Sequence, residues 1–235
     1  MHIDAKGNDL LPDASDEELI MKKVVTCSQM KLLDHETIHS MHVPSLVLME
    51  RAALAVRDEI VKYLLGKNPD GSWQHERVLA VCGSGNNGGD GIAIARLLHL
   101  SGIHTEIFLA GNPDKMTEET RRQWEIAGVG LSREIAGKYR EIIDCMNQAE
   151  ACKVAVDIPS GIHGDTGAIL GVAFKADMTV TFAYRKRGLC LYPGRMYAGK
   201  VVTADIGIYD RDPKLIGTVV NGHQVKDVES LKDIP

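Results

Sequence analysis

The feature that most constrains this chain is a short apolar run that passes through a glycine-rich loop directly into a helical pattern. Residues 77–98 read RVLAVCGSGNNGGDGIAIARLL, with five glycines between positions 83 and 91. RVLAVC has the length and apolar content of a buried strand, and GIAIARLL has the apolar spacing of a helix. A strand that turns into a helix over so few residues needs glycine, because the two backbones approach closely. This unit predicts an α/β fold.

Strands and helices alternate along the rest of the chain. HTEIFLAG, KVAVDIP, DMTVTFA and GKVVTADIGI predict strands, and TEETRRQWEIAG and SREIAGKYREIIDCMNQA predict helices. Upstream, TCSQ predicts a capping box, and PSLVLMERAALAVRDEIVKYLLG predicts an amphipathic helix that Gly66 ends. The alternation predicts a doubly wound, three-layer sandwich with a mostly parallel sheet. We expect one domain over residues 25–210, a disordered or added extension over 1–24, and a weakly patterned tail over 211–235.

Charge and cysteine content exclude several function classes. The chain has 27 Lys and Arg against 32 Asp and Glu, a net charge of −5, so it lacks the basic surface that nucleic-acid binding needs. Its five cysteines include no CxxC pair, which argues against a disulfide framework and a thiolate zinc site. No apolar run is long enough to span a membrane. These features predict a cytoplasmic protein that binds neither nucleic acid nor membrane.

The glycine loop allows more than one ligand. Gly83, Gly85 and Gly88 satisfy G-x-G-x-x-G, the pattern of NAD-linked dehydrogenases. However, HTEIFLAG ends without an acidic residue for a ribose hydroxyl, and Asp90 would repel a pyrophosphate. Asn86, Asn87 and Asp90 instead suit a polar head group or a hard cation. A tight turn with helix-capping side chains is the remaining interpretation.

Two further polar clusters follow predicted strands. Asp157 and Ser160 come directly after KVAV, and the carboxyl ends of parallel strands face one crevice, so we expect them near the glycine loop. Lys186 follows DMTVTFA, where it either reaches a phosphate or belongs to a solvated basic turn. His35 and His39 match H-E-x-x-H, a zinc-peptidase motif, but the third histidine of the longer motif is absent. We favour exposed helix residues there.

Taken in order, GSGNNGGDG, VDIPSGIHGDTG and TFAYRKRGL...PG...GKVVTADIGI resemble the NAD(P)H-hydrate epimerase family, the YjeF N-terminal domain. The resemblance extends from about Gln29 to Ile208. It implies a Rossmann-like fold, and an isomerase that interconverts the R and S forms of hydrated NADH or NADPH for a separate dehydratase. It also implies a homodimer formed by the helices of residues 28–65.

The resemblance implies a set of ligand-binding residues and a potassium ion. Potassium would be bound by Asn87 and Ser160. The hydrated nucleotide would be contacted by Asn86, Asn87, Gly88, Gly89, Asp90, Gly128, Val129, Gly130, Leu131, Ser132, Arg133, Glu134 and Asp157. Apart from the resemblance, Lys186 is a candidate phosphate contact because of its place after DMTVTFA.

Epimerisation requires an acid and a base. The hydrated ring carries a hydroxyl beside its nitrogen, and protonation of that hydroxyl lets the nitrogen lone pair expel it. Water then adds to either face of the planar iminium while a carboxylate takes a proton. A carboxyl whose pKa is raised towards neutrality serves both steps. We expect this group to be Asp157, with Asp90 as the alternative; an inactive binding or scaffold module and a dehydrogenase are the rival functions.

The chain departs from the family pattern in one place. The family has a strand of the form DxxFG before GVGLSRE, and its aspartate is the remaining potassium ligand. Here Trp124 stands at that place, and no strand separates TEETRRQWEIA from Gly128. A doubly wound sheet without an inner strand leaves ladder hydrogen bonds unpaired. We therefore hypothesise that a segment is absent between about Ala127 and Gly128, which an ordinary Cα separation of about 3.8 Å would contradict.

Overall fold

The computed structural model describes residues 22–127, 132–134, 139–209, 217–220 and 223–225. Within these residues the α-helices are α1 (Cys27–His35), α2 (Ser45–Lys67), α3 (Asn86–Leu100), α4 (Glu118–Ala127) and α5 (Tyr139–Gln148). The strands are β1 (Lys22–Val25), β2 (Arg77–Cys82), β3 (His104–Leu109), β4 (Ser132–Glu134), β5 (Val154–Val156), β6 (Met178–Phe182), β7 (Arg185–Lys186), β8 (Lys200–Ala204), β9 (Gly217–Val220) and β10 (His223–Val225). A π-helical turn and four 3₁₀ turns occupy Glu36–Ser40, Ser72–His75, Pro113–Lys115, Arg187–Leu189 and Gly194–Tyr197.

The described strands form three sheets. Two of them are wholly parallel, in the orders β2-β3-β4 and β5-β6-β8. The third has the order β10-β9-β1-β7, in which β1 runs parallel to β7 and antiparallel to β9. Sequence analysis predicted one mostly parallel sheet, and the strands are parallel as predicted. The sheet, however, is divided between β2 and β5.

Helices cover both faces of the sheet β5-β6-β8, which together with its helices is called the β5 half below. Val154 and Val156 pack into the main core, which α2 and α3 supply, whereas Ala155 packs with Ile143 of α5. Alternate residues of a strand point to opposite faces, so these contacts define a helix layer on each side. The predicted doubly wound, three-layer α/β architecture is confirmed.

Local signals determine the helix ends near the site. The predicted capping box is present at α1: Thr26 Oγ1 accepts from Gln29 N at 3.1 Å, and Gln29 Oε1 accepts from Thr26 N at 2.7 Å. The predicted stop at Gly66 is wrong by one residue, since α2 continues to Lys67 and Asn68 N donates to Leu64 O at 2.9 Å.

The predicted domain limits also differ from the described elements. The limit at residue 24 falls inside β1, which starts at Lys22 and pairs with β7. Residues 211–235 supply β9 and β10, so part of the predicted tail belongs to a sheet. The segment predicted as a helix from Ser132 begins instead with β4. None of the helices in the described ranges combines the length and hydropathy of a membrane span.

Candidate active site

The glycine loop brings the first turn of α3 against the backbone that precedes it. A Cβ atom on Gly88 would come 1.9 Å from the carbonyl oxygen of Gly83. Only glycine fits there, because the opposing atom is backbone and cannot swing away. A Cβ on Gly89 would come 2.9 Å from both Met49 Cε and Thr120 Oγ1. The loop is therefore the point where α2, α3 and α4 meet.

Asn86 and Asn87 lie exposed at the start of α3. Asn87 Nδ2 donates to the carbonyl oxygen of Val156 at 3.0 Å, so the loop after β2 reaches the last residue of β5. This contact engages the amide nitrogen and leaves the carbonyl oxygen of Asn87 to receive a cation or a donor. The glycine loop and the Asp157 cluster thus meet at the carboxyl ends of the strands, as predicted.

Asp90 is a mostly enclosed carboxyl one turn into α3. Its pKa rises to about 8, mainly because burial disfavours the charged form and next because Asp157 is negative. The Lys186 ammonium acts on the Asp90 pKa in the opposite direction. At pH 7 most Asp90 carboxyls therefore carry a proton, which makes this group a donor.

Asp157 follows β5 in a strained conformation and is paired with a buried lysine. Its φ of 66° lies in the left-handed region, which non-glycine residues rarely adopt. Its Oδ1 accepts hydrogen bonds from Thr181 Oγ1 at 3.0 Å and Phe182 N at 3.2 Å, and it forms an ion pair with Lys186 Nζ. No group in the described part of the chain donates to Oδ2. Asp157 therefore has one fixed oxygen and one oxygen left to accept a proton.

Lys186 differs from the solvated basic turn that its sequence context allowed, and its contact with a phosphate stays a prediction. It is buried, with 5% of its side chain exposed, so it is not part of a solvated turn. Its ammonium also donates to Thr181 Oγ1 at 3.3 Å and Phe182 O at 3.2 Å, so its three protons all have protein acceptors. The structure makes Lys186 the counter-ion of Asp157.

Asp34 is a site residue that sequence analysis missed. The pairing of Val25 with Lys186 places α1 next to the ion pair. Burial raises the pKa of the Asp34 carboxyl, Lys186 lowers it and Asp157 raises it. Asp34 stands four residues after the buried Met30, on the inward side of α1. A carboxylate at helical spacing from a buried apolar residue is the sequence signal that could have identified it.

The remaining predicted nucleotide contacts are described only in part. Gly128, Val129, Gly130 and Leu131 lie outside the described residues, and so does the proposed junction between Ala127 and Gly128. The backbone of Ser132, Arg133 and Glu134 forms β4, which pairs with Ile107, Phe108 and Leu109 at the carboxyl end of β3.

The predicted potassium ligands lie on two neighbouring segments. Ser160 is exposed in the turn after β5, and its carbonyl accepts from Phe174 N at 2.8 Å. The Ser160 hydroxyl and the Asn87 carbonyl are oxygen donors of the kind that hard cations prefer. Trp124 does not take over the role of the aspartate ligand expected at its place, because it packs in the core against Cys82, Ile92, Ala95 and Ile107.

The two histidines of the zinc motif lie side by side, with tilted rings, at the end of α1. The rings of His35 and His39 have centroids 4.3 Å apart. Among the described residues, no three or more His, Cys, Asp or Glu side chains converge where they could hold a metal ion. The geometry gives no support to a zinc peptidase.

Comparison with known proteins identifies the family. The profile described as YjeF-related protein N-terminus matches residues 45–128 and 126–188. The chain belongs to this family. NAD(P)H-hydrate epimerase of Limosilactobacillus reuteri is 44% identical over 216 residues, covering 81% of this chain and 99% of the relative. NAD(P)H-hydrate epimerase of Levilactobacillus brevis is 40% identical over 217 residues, covering 82% and 97%.

A solved structure supports the fold of this YjeF-related chain. The crystal structure of the yeast protein ynu0 (YNL200c) covers 84% of the chain and 100% of its own, with a TM-score of 0.62 and 18% identity. The likeness confirms the Rossmann-like fold.

The alignments also show what this chain lacks. The L. reuteri alignment runs over 216 residues but takes in 81% of 235 residues here, about 190. About 25 residues of that relative therefore have no counterpart. The two stretches that match the family profile meet at residues 126–128, where sequence analysis placed an absent segment.

Proposed function

We propose that the protein is an NAD(P)H-hydrate epimerase that interconverts the R and S forms of hydrated NADH and NADPH. The observation that carries the proposal is a pair of carboxyl groups in different surroundings at the carboxyl ends of β2 and β5. Asp90 has a pKa raised to about 8, and Asp157 is ion-paired with Lys186. Two such groups in one crevice are the arrangement of a general acid and a general base. The names of the relatives agree with this activity.

In this mechanism Asp90 gives its proton to the ring hydroxyl, which leaves as water when the ring nitrogen forms a double bond to the same carbon. The resulting iminium is planar. A second water adds to the opposite face, and Oδ2 of Asp157 takes the proton that it loses. Reversal exchanges the two roles, and the carboxyls return to their starting states through solvent. The configuration inverts without any redox change.

The start of α3 is the proposed nucleotide contact. Asn86 and Asn87 offer exposed amides there, and backbone N–H groups of a first helical turn suit an anionic ligand. Gly88 and Gly89 are buried and have no side chain to offer a ligand, so their role is to let the surrounding backbone approach closely. The segment from Gly128 to Glu134 remains a proposed part of the binding site.

We propose that Asn87 and Ser160 bind the potassium ion that the family resemblance implies. The ion, when bound, would supply positive charge beside the nucleotide. Melting temperature measured in potassium chloride should exceed that in tetramethylammonium chloride of equal ionic strength, and Ser160→Ala should abolish the difference. A difference that persists in Ser160→Ala would rule out this ligand set.

The proposed partners follow from the substrate and from the surface of the N-terminal helices. An S-specific dehydratase would consume the product. Four large apolar residues of α1 and α2 are exposed, and they are the surface of the proposed homodimer: Leu32, Val47, Tyr63 and Leu65. We propose a cytoplasmic location, because the five cysteines are free thiols and a reducing compartment preserves them.

The decisive experiment adds the protein to mixed R and S hydrated NADH together with an S-specific dehydratase. NADH absorbance should recover beyond the S fraction at a rate well above the uncatalysed one. Asp90→Asn and Asp157→Asn should each lower the rate by roughly 100-fold or more. Asp114→Asn, which changes an exposed carboxyl, should leave it unchanged. A plateau at the S fraction would instead favour an inactive binding module.

A further inference from the structure

The parallel strands of this domain are interrupted by an interval that no described strand fills. β2 pairs along its whole length with β3, from Arg77 opposite His104 to Cys82 opposite Leu109. β5 pairs with β6, from Val154 opposite Met178 to Val156 opposite Val180. Within the described residues the second edge of each strand has no ladder partner. Unpaired edges inside a sheet are rare because their N–H and C=O groups lose hydrogen bonds.

Two contacts indicate that the two open edges belong to one layer and face each other. Val78 of β2 and Val154 and Val156 of β5 pack against the same core cluster, supplied by α2 and α3. Asn87, at the start of α3, donates to Val156 at the end of β5. Since β3 lies beyond β2 and β6 lies beyond β5, the interval stands in the middle of the strand order.

The length that this chain lacks suits a strand and its connections. About 25 residues of the L. reuteri relative have no counterpart, and the matched stretches meet directly after α4. Six residues in extended form match the length of β2, and the rest suffice for connections on either side. A parallel strand with neighbours on both sides and helices on both faces is nearly continuous in apolar residues. Leu79, in the middle of β2, is 61% exposed and points to the face opposite Val78 and Ala80, so β2 also has an apolar side chain on an uncovered face.

We propose that the edges of β2 and β5 form an acceptor site for one extended apolar strand of a separate polypeptide, which inserts between them parallel to both. The occupant supplies alternate N–H and C=O groups to the two edges and apolar side chains to the two faces. Recognition by main-chain hydrogen bonds at sheet edges is an established mode of peptide binding.

The test uses the full chain and a synthetic, fluorophore-labelled peptide with the sequence of the roughly 25 residues of the L. reuteri relative that lack a counterpart here. Fluorescence anisotropy should show saturable binding at a one-to-one ratio. Hydrogen exchange of residues 77–82 and 154–156 should slow by tenfold or more in the complex, whereas exchange in β8 should change little. A scrambled peptide should do neither.

Backbone methylation of the peptide separates insertion from one-sided addition. A strand between two edges donates from odd residues to one side and from even residues to the other. N-methylation of the odd set or of the even set should therefore weaken binding by tenfold or more in each case. Loss with only one set, protection of only one strand, binding of the scrambled peptide, or pairing of two copies of this chain without peptide would each overturn the proposal. These measurements need no substrate, so an absent epimerase activity would leave their outcome unaffected.

Discussion

β6 and β2 belong to two parallel sheets of equal strand number, yet they are covered very differently. All five residues of β6 are buried, and β6 has a neighbour on each side. Among the described strands β2 has one neighbour, β3, and Leu79 in its middle is 61% exposed. The comparison teaches that burial of a strand in this fold depends on cover of both its faces as well as on its neighbours in the sheet. The comparison also bears on the candidate site. One of its carboxyls, Asp90, follows β2, whereas the other, Asp157, follows β5, the neighbour of β6.

The largest expected effect on stability comes from the β2 half, which is the sheet β2-β3-β4 with the helices packed on it. In Gly88→Ala the added methyl would meet the Gly83 carbonyl, so α3 would have to move away from β2. We expect the free energy of unfolding to fall by about 4 kcal/mol, measured by urea titration. Gly85→Ala is the control, since nothing lies within 4 Å of its added Cβ, and it should cost about 1 kcal/mol or less. Equal losses in the two variants would show that the close approach does not hold this half together.

The β5 half should be sensitive to its ion pair. Lys186→Met removes the counter-ion of Asp157 and leaves a partly buried carboxylate without its strongest partner. We expect a loss of about 3 kcal/mol in the free energy of unfolding, together with loss of epimerase activity. Lys175→Met changes an exposed lysine and should be neutral. A stable Lys186→Met protein would mean that the ion pair does not organise this half.

Asp90→Asn should make the β2 half more stable, but only at high pH. The folded-state pKa of about 8 lies above the ordinary 3.8, so the native state holds a proton that the unfolded chain has lost. Its contribution to stability therefore falls as pH rises from about 4 to about 8. The variant should exceed the wild type by roughly 2 kcal/mol at pH 9 and match it near pH 4. Urea titrations at both values, with Asp114→Asn as control, check the sign; a gain that is the same at both would contradict it.

The smallest expected effect tests the uncovered strand directly. Leu79→Thr should change the free energy of unfolding by less than about 0.5 kcal/mol, because the side chain is already mostly in water. Val180→Ala, at a position of 0% exposure in β6, should cost about 2 to 3 kcal/mol. Similar losses at the two positions would mean that β2 is covered as fully as β6.

Much of the fold could be predicted because its signals are local. The strand that precedes the glycine loop, the capping box before α1 and the amphipathic pattern of α2 each depend on residues within one or two turns. The convergence of Asn87 with the segment after β5 followed from the rule that parallel strands end at one edge.

The partners of individual charges could not be predicted. Asp157 and Lys186 lie 29 positions apart, and their pairing depends on the turn between β6 and β7. Asp34 approaches them only because β1 pairs with β7, a contact between distant parts of the chain. The strands β9 and β10 lie in a segment of weak pattern and are defined by their pairing with β1 and with each other.

The thiol beneath the glycine loop determines where reagents can attach. Burial, and next the charge of Asp90, raises the pKa of Cys82 to about 12, so this cysteine offers almost no thiolate to an alkylating reagent at neutral pH. Cys145 and Cys152 are exposed, at the end of α5 and just before β5. Maleimide dyes will therefore label the approach to β5 first and leave the loop after β2 untouched. The native sequence thus carries its own attachment points for an optical reporter beside β5, one of the two strands whose second edge has no partner among the described strands.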